Sequence, residues 1–264
     1  MNIDLSGKQA VVSGSSAGIG FAIARGLADS GAAVVVNGRS AKTTDAAARR
    51  LSELAPGAKV AGVAADLSTA DGVAQFVSRV GTTDILVNNL GIFEPKPFEA
   101  ISDDDWHRFF DVNVLSGIRL ARAYLPAMVK RDWGRIVFIS SESGLNIPVE
   151  MIHYGMTKTA QLAISRGLAE QVAGTGVTVN AVLPGPTRSE GVGDFFAKLA
   201  KEKGVTQSEM ESQFIAQNRP SSLLRRLATV DEVANLVVYV CSPQASATTG
   251  AALRVDGGVV RSIA

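Results

Sequence analysis

Tyr154 and Lys158 stand four residues apart in HYGMTK (153–158), a stretch that reads as the opening of a helix. At that spacing a phenol and an ammonium lie on one face, a single turn apart. Free phenols titrate near ~10 and lysines near ~10.4, so a phenol that moves protons at neutral pH needs a neighbouring positive charge to favour its ionised form. The competing reading of an isolated pair is a half-buried tyrosine packed on the stem of a surface lysine. The rest of the chain has to decide between them.

A second chemical signal lies near the start. In VVSGSSAGIGFAIARGLADSG an apolar strand runs through Gly14, Gly18 and Gly20 directly into a helical pattern. This is where a dinucleotide pyrophosphate meets the N–H groups of a helix N-terminus. About twenty residues on, an NAD site offers a carboxylate to the adenosine ribose. Here VVVNGRS places Gly38 and Arg39 instead. Without the acid nothing repels a 2′-phosphate, and a guanidinium can pair with it, so the pattern favours NADP(H), with NAD(H) the alternative.

These groups must be held by a scaffold, and the sequence describes one. Apolar β-branched runs (QAVVS, AAVVVN, AKVAGVAA, DILVNN, GRIVFIS, VTVNAVLP) recur with helical stretches between most of them, among them 18–30, 102–130 and 153–173. Continuous apolar strands separated by helices predict an α/β fold with a parallel sheet covered on both faces. The rhythm breaks at 188–225, where DFFAKLAKEKG and TQSEMESQFIAQ read as an inserted pair of short helices, the second opened by a Thr206/Glu209 capping box. Phe195, Phe196, Leu199, Phe214 and Ile215 recur there at helical spacings and suit either a substrate lid or packing of the two helices.

The 264 residues, 46% hydrophobic, carry 26 basic and 25 acidic side chains. That balance speaks against nucleic acid or a membrane surface as partner and for a small carbonyl or alcohol substrate. One cysteine, Cys241, and two histidines, His107 and His153, offer neither a disulfide nor a soft metal cluster. With no signal-like or spanning segment, the expectation is a metal-free cytoplasmic protein.

In order and spacing, SGSSAGIG (13–20), NNLG (88–91), Asn113 in DVNVLS, Ser141 in ISSESG, YGMTK (154–158), PG (184–185) and TGAALRVDGG resemble the short-chain dehydrogenase/reductase family. The resemblance spans essentially the whole chain. It implies one doubly wound Rossmann-type domain with a seven-stranded parallel sheet and a helical lid near 188–225. It implies a catalytic set of Asn113, Ser141, Tyr154 and Lys158, in which Tyr154 is the general acid or base and Ser141 donates to the substrate oxygen. Lys158 holds the nicotinamide ribose and tunes the phenol, and Asn113, inside a long helix, organises a water that relays protons to Lys158. The cofactor is expected against Gly14, Ser15, Ser16, Gly18, Ile19, Gly20, Arg39, Asp66, Leu67, Asn89, Gly91, Tyr154, Lys158, Pro184, Gly185 and Thr187. Asp66 suits either the adenine or a turn beside Ser68.

The chain departs from the family pattern at Ser13, where threonine is usual, at Leu90, where alanine is usual, and in PGPTRS, where the usual threonine position is Ser189. Thr187 is therefore expected to meet the carboxamide through its main chain. The implied activity is an NADP(H)-dependent interconversion of a secondary alcohol and a ketone by an enzyme that forms a homotetramer or dimer. A β-ketoacyl-acyl-carrier-protein reductase and a non-catalytic cofactor-sensing regulator are the alternatives.

Overall fold

The computed structural model describes residues 2–263, with the side chain of Phe195 outside the description. In chain order the elements are β1 (Gln9–Val12), α1 (Gly18–Asp29), β2 (Ala33–Gly38), α2 (Ala41–Leu54), β3 (Val60–Ala64), α3 (Ala70–Val80) and β4 (Ile85–Asn88). Then come α4 (Asp103–Phe110), α5 (Ser116–Lys130), β5 (Gly134–Ile139), α6 (Ile152–Gln171) and β6 (Val177–Pro184). The chain closes with β7 (Thr187–Arg188), α7 (Glu190–Lys203), α8 (Gln207–Asn218), β8 (Ala228–Thr229), α9 (Val230–Cys241) and β9 (Ala252–Val255).

Seven strands form one sheet in the order β3-β2-β1-β4-β5-β6-β9, every neighbouring pair parallel. The two-residue alternation of a strand sorts side chains between its faces. Ala10, Val12, Ile85 and Val87 join the core beneath α1, α2 and α9, with Phe21, Leu27, Leu51 and Val237. Val11 and Leu86 point the other way, onto Phe76 of α3, Leu120 and Tyr124 of α5 and Ala169 of α6. Both faces are therefore dry, which is why the strands read as unbroken apolar runs.

The order of strands reverses between β1 and β4, and the carboxyl ends of the strands at such a switch point are where open α/β sheets bind ligands. The helix expected over 102–130 is interrupted. A π-helical turn, Asp111–Leu115, separates α4 from α5 and contains Asn113. Such turns widen the helix by one residue and redirect its carbonyls.

The segment over 188–225 forms α7 and α8, and the capping box at Thr206 and Glu209 is present. Phe196, Ala200, Met210, Ile215 and Leu227 are buried together, with Leu199 and Phe214 packed against them. The Phe196 and Phe214 rings meet edge to face at 5.1 Å. Among the described residues no helix is long and apolar enough to cross a membrane.

Candidate active site

Helix α1 begins differently from its neighbours. Helices α3, α4, α8 and α9 start under a serine or threonine hydroxyl that takes a first-turn N–H. At α1 the cap is Ala17, with no side-chain bond and no acid in the first turn. Its first N–H groups are left for an external acceptor, and an anion suits them. Gly18 holds φ +58°, and a Cβ on Gly20 would come within 2.4 Å of Asn89 Nδ2 and 2.5 Å of the Gly14 carbonyl. The loop is thus pressed against the end of β4, where Asn89 Nδ2 donates to the Ser13 and Gly14 carbonyls, each at 3.0 Å. The Ser13 hydroxyl in turn accepts from the Asn89 and Leu90 N–H groups.

Leu90, the bulkier departure from the family pattern, lies directly over Gly14, its Cδ1 3.3 Å from where a Cβ would stand. The Ser15 hydroxyl donates to the Val12 carbonyl and accepts from the Asn37 N–H, so this fully buried side chain shapes the loop. Ser16 packs against Gly38, its Cβ 3.3 Å from where a Cβ would stand there, and Ile19 packs partly buried on the core.

At the end of β2, a Cβ on Gly38 would lie 2.8 Å from Thr44 Oγ1, so the position has no room for the absent carboxylate. Arg39 is exposed and has no ion-pair partner among the described residues. Asp66 takes the turn role: its Oδ1 accepts from the Ser68 N–H at 3.0 Å and hydroxyl at 2.7 Å. Leu67 buries its side chain in the core. The Thr187 hydroxyl is occupied by the Gly185 carbonyl at 2.8 Å, and Gly185, after Pro184, packs against the Asp256 carbonyl.

The chemical centre assembles where β5, the π turn and α6 meet. Ser141 follows β5, and Tyr154 and Lys158 come from the first turns of α6. Lys158 is 4% exposed, with Nζ donating to the Ile139 carbonyl at 2.9 Å and lying 5.6 Å from the Tyr154 ring centre. A Cβ on Gly91 would stand 3.4 Å from that nitrogen and 3.5 Å from Asn113 Oδ1, so Gly91 closes the same small space. The Asn113 amide is fully engaged, with the Ile92 N–H, the Ile92 carbonyl and the Thr157 hydroxyl.

The Asn113 main-chain carbonyl accepts from Gln161 Nε2 at 2.5 Å, and Gln161 Oε1 receives Lys158 Nζ at 3.4 Å. A side chain bridges the two groups directly. Burial pushes Tyr154 up to about 12, the Ser141 hydroxyl and Arg219 acting the other way and Glu142 adding to the rise. Burial brings Lys158 down to about 7, so in the protein alone the lysine carries much less charge than its type suggests.

Residues 14–260 match a family model described as enoyl-(acyl carrier protein) reductase. An uncharacterised oxidoreductase of Bacillus subtilis (strain 168), YvaG, is 46% identical over 263 residues and 100% of both chains. The 3-oxoacyl-[acyl-carrier-protein] reductase FabG of Aquifex aeolicus is 34% identical, over 98% of this chain and 100% of its own. Among solved structures, L-sorbose reductase from Gluconobacter frateurii, complexed with NADPH and L-sorbose, superposes with a TM-score of 0.94 at 32% identity, over 100% of both chains. The chain belongs to the short-chain dehydrogenase/reductase family. Members of this family are oxidoreductases acting on CH–OH groups, and so is this chain.

Within this short-chain dehydrogenase/reductase, three polar residues of the centre escaped the sequence reading. Gln161 carried a usable signal, since it follows Lys158 by three positions on the same helical face. Glu142 stood visible as a lone charge among small residues in SSESG. Arg219, at the end of α8, gave none. Its Nε reaches Glu142 Oε1 at 2.8 Å across 77 residues of chain.

Proposed function

We propose that this chain is an NADP(H)-dependent oxidoreductase that interconverts a secondary alcohol and a ketone, with Tyr154 as the proton donor. The observation that carries the reading is the meeting of Ser141, Tyr154, Lys158 and Asn113, beside Gly91 at the end of β4, in a chain whose α1 starts uncapped. A packing tyrosine on a surface lysine does not fit a lysine that is 4% exposed. The crystallisation of L-sorbose reductase with NADPH supports the choice of cofactor.

The first-turn N–H groups of α1, with the backbone of Gly14 to Gly20, hold the pyrophosphate. Arg39, without an ion-pair partner among the described residues, and Ser16 face the adenosine ribose, where a guanidinium pairs with a 2′-phosphate. Lys158, Asn89, Gly91 and Thr187 line the nicotinamide half, Thr187 through its main chain. When bound, the reduced nicotinamide supplies the hydride.

The protein's part is protonic. With its pKa raised by burial, Tyr154 keeps its proton at neutral pH and can give it to the carbonyl oxygen as charge develops there. The Ser141 hydroxyl donates to the same oxygen. Gln161 ties Lys158 to the Asn113 main-chain carbonyl and so holds the ammonium beside the Tyr154 ring. Helices α7 and α8 cover the substrate side as a lid whose apolar residues are satisfied within their own small core.

The test is consumption of NADPH with a panel of ketones, aldehydes and acyl thioesters, alcohol being measured alongside. Equal amounts of cofactor spent and alcohol formed with at least one carbonyl are expected. Binding of NADPH without turnover of any of them would point to a cofactor sensor. The similarity to FabG keeps β-ketoacyl thioesters as the second reading, and preferential turnover of the thioesters would favour it.

A further inference from the structure

The Tyr154 ring is only partly buried, and the Phe93 ring stands edge-on to it, with centroids 6.4 Å apart and an interplanar angle of 69°. Phe93 itself is 62% exposed. The segment that carries it is tied to the stretch before α6, where the Glu150 carbonyl accepts from the Lys96 N–H at 2.9 Å. That second stretch presents Leu145, Ile147 and Val149, all exposed, Val149 to 81%. Ile147 reaches the first turn of α6 beside Tyr154, its Cγ2 2.7 Å from where a Cβ on Gly155 would stand. Two pieces of chain that border the proton donor thus hold large apolar side chains in water.

A single exposed apolar residue is ordinary, whereas several around one reacting group mark a binding surface. None of the four belongs to the apolar cores on the sheet faces or between α7 and α8, so folding does not call for them. We propose that Phe93 is a specificity-determining residue, whose ring packs on an apolar arm attached to the reacting carbonyl. The substrate class is then a ketone with an alkyl or aryl arm, and its alcohol. Covering that arm with Phe93, and with Ile147 on the α6 side, favours binding in proportion to the apolar area removed from water. A hydroxylated arm at the same place gives up its hydration to a ring that offers no hydrogen bond. The inference rests on the carbonyl-reductase reading and gives that reaction its specificity.

Butan-2-one, hexan-2-one and octan-2-one carry one carbonyl on arms of growing length, and a ketohexose carries a hydroxylated arm. Each is assayed for kcat/KM with saturating NADPH. In the unmodified protein kcat/KM is expected to rise about tenfold or more from butan-2-one to octan-2-one, since each fully covered CH₂ supplies up to about fourfold. The ketohexose should fall below octan-2-one. Phe93→Ala should cut the rise by about fivefold or more, chiefly through KM for octan-2-one, and leave butan-2-one within about twofold. Phe93→Leu restores apolar area and should recover most of the rise. Melting temperature and NADPH affinity serve as folding controls.

A fall by the same factor on all three alkanones would make Phe93 a positioning residue for Tyr154 and overturn the proposal. So would a rise with chain length that Phe93→Ala leaves intact. If Phe93→Ala does not fold, the ranking in the unmodified protein still decides, and a ketohexose turned over as well as octan-2-one, or better, contradicts the assignment. Absence of turnover with all carbonyls would sink the reductase reading itself, a different failure from a wrong ranking among active ones.

Discussion

Burial is the largest influence on both Tyr154 and Lys158. The phenol rises to about 12 and the lysine falls to about 7, each toward its uncharged form. The sign for catalysis follows directly. At neutral pH the phenol is protonated, the form needed to give a proton to a carbonyl, whereas alcohol oxidation needs the phenolate, whose fraction grows as pH rises toward the pKa. We expect kcat/KM for alcohol oxidation to climb steadily from about pH 6 to 9, while that for carbonyl reduction follows the loss of charge on Lys158 around pH 7 and shows no limb from Tyr154. Pre-equilibrated rate profiles in both directions check this. A flat or falling oxidation limb would mean that another group takes the proton.

At the scale of elements, the strands and the glycine turn were legible because their signals are local: two-residue alternation, β-branched runs, and a strand that enters a helix through Gly14, Gly18 and Gly20. The Thr206/Glu209 box was equally readable, being three residues wide. The π turn at Asp111–Leu115 was not, because its sequence DVNVL is compatible with ordinary helix and the extra residue is fixed by tertiary partners. The reach of Gln161 to the Asn113 carbonyl spans 48 residues and that of Arg219 to Glu142 spans 77, distances over which no periodicity speaks. The end of β2 makes a prediction of its own. With a Cβ at Gly38 crowding Thr44 and no ion-pair partner for Arg39 among the described residues, NADPH should bind more tightly than NADH. Arg39→Ala should remove on the order of 1.5 to 3 kcal/mol of that preference, the strength of one charge-assisted pair. Calorimetric titration of both cofactors measures it, and tighter binding of NADH by the unmodified protein would contradict it.

In the proposed reading the whole molecule combines functions that reside in different places: a sheet and two cores that fold, a glycine turn with an uncapped helix for the dinucleotide, and a polar centre on α6 for proton transfer. Because Tyr154 belongs only to the last, removing its hydroxyl separates the three. In Tyr154→Phe the ring and its edge contact with Phe93 at 6.4 Å can remain, while the transferable proton is gone. The measurement is the steady-state rate of NADPH-dependent ketone reduction by this variant, alongside its melting temperature and NADPH affinity. The account predicts an unchanged fold, near-normal cofactor binding and a turnover lower by about a hundredfold or more. A Tyr154→Phe protein that reduces the ketone at near the unmodified rate would contradict it.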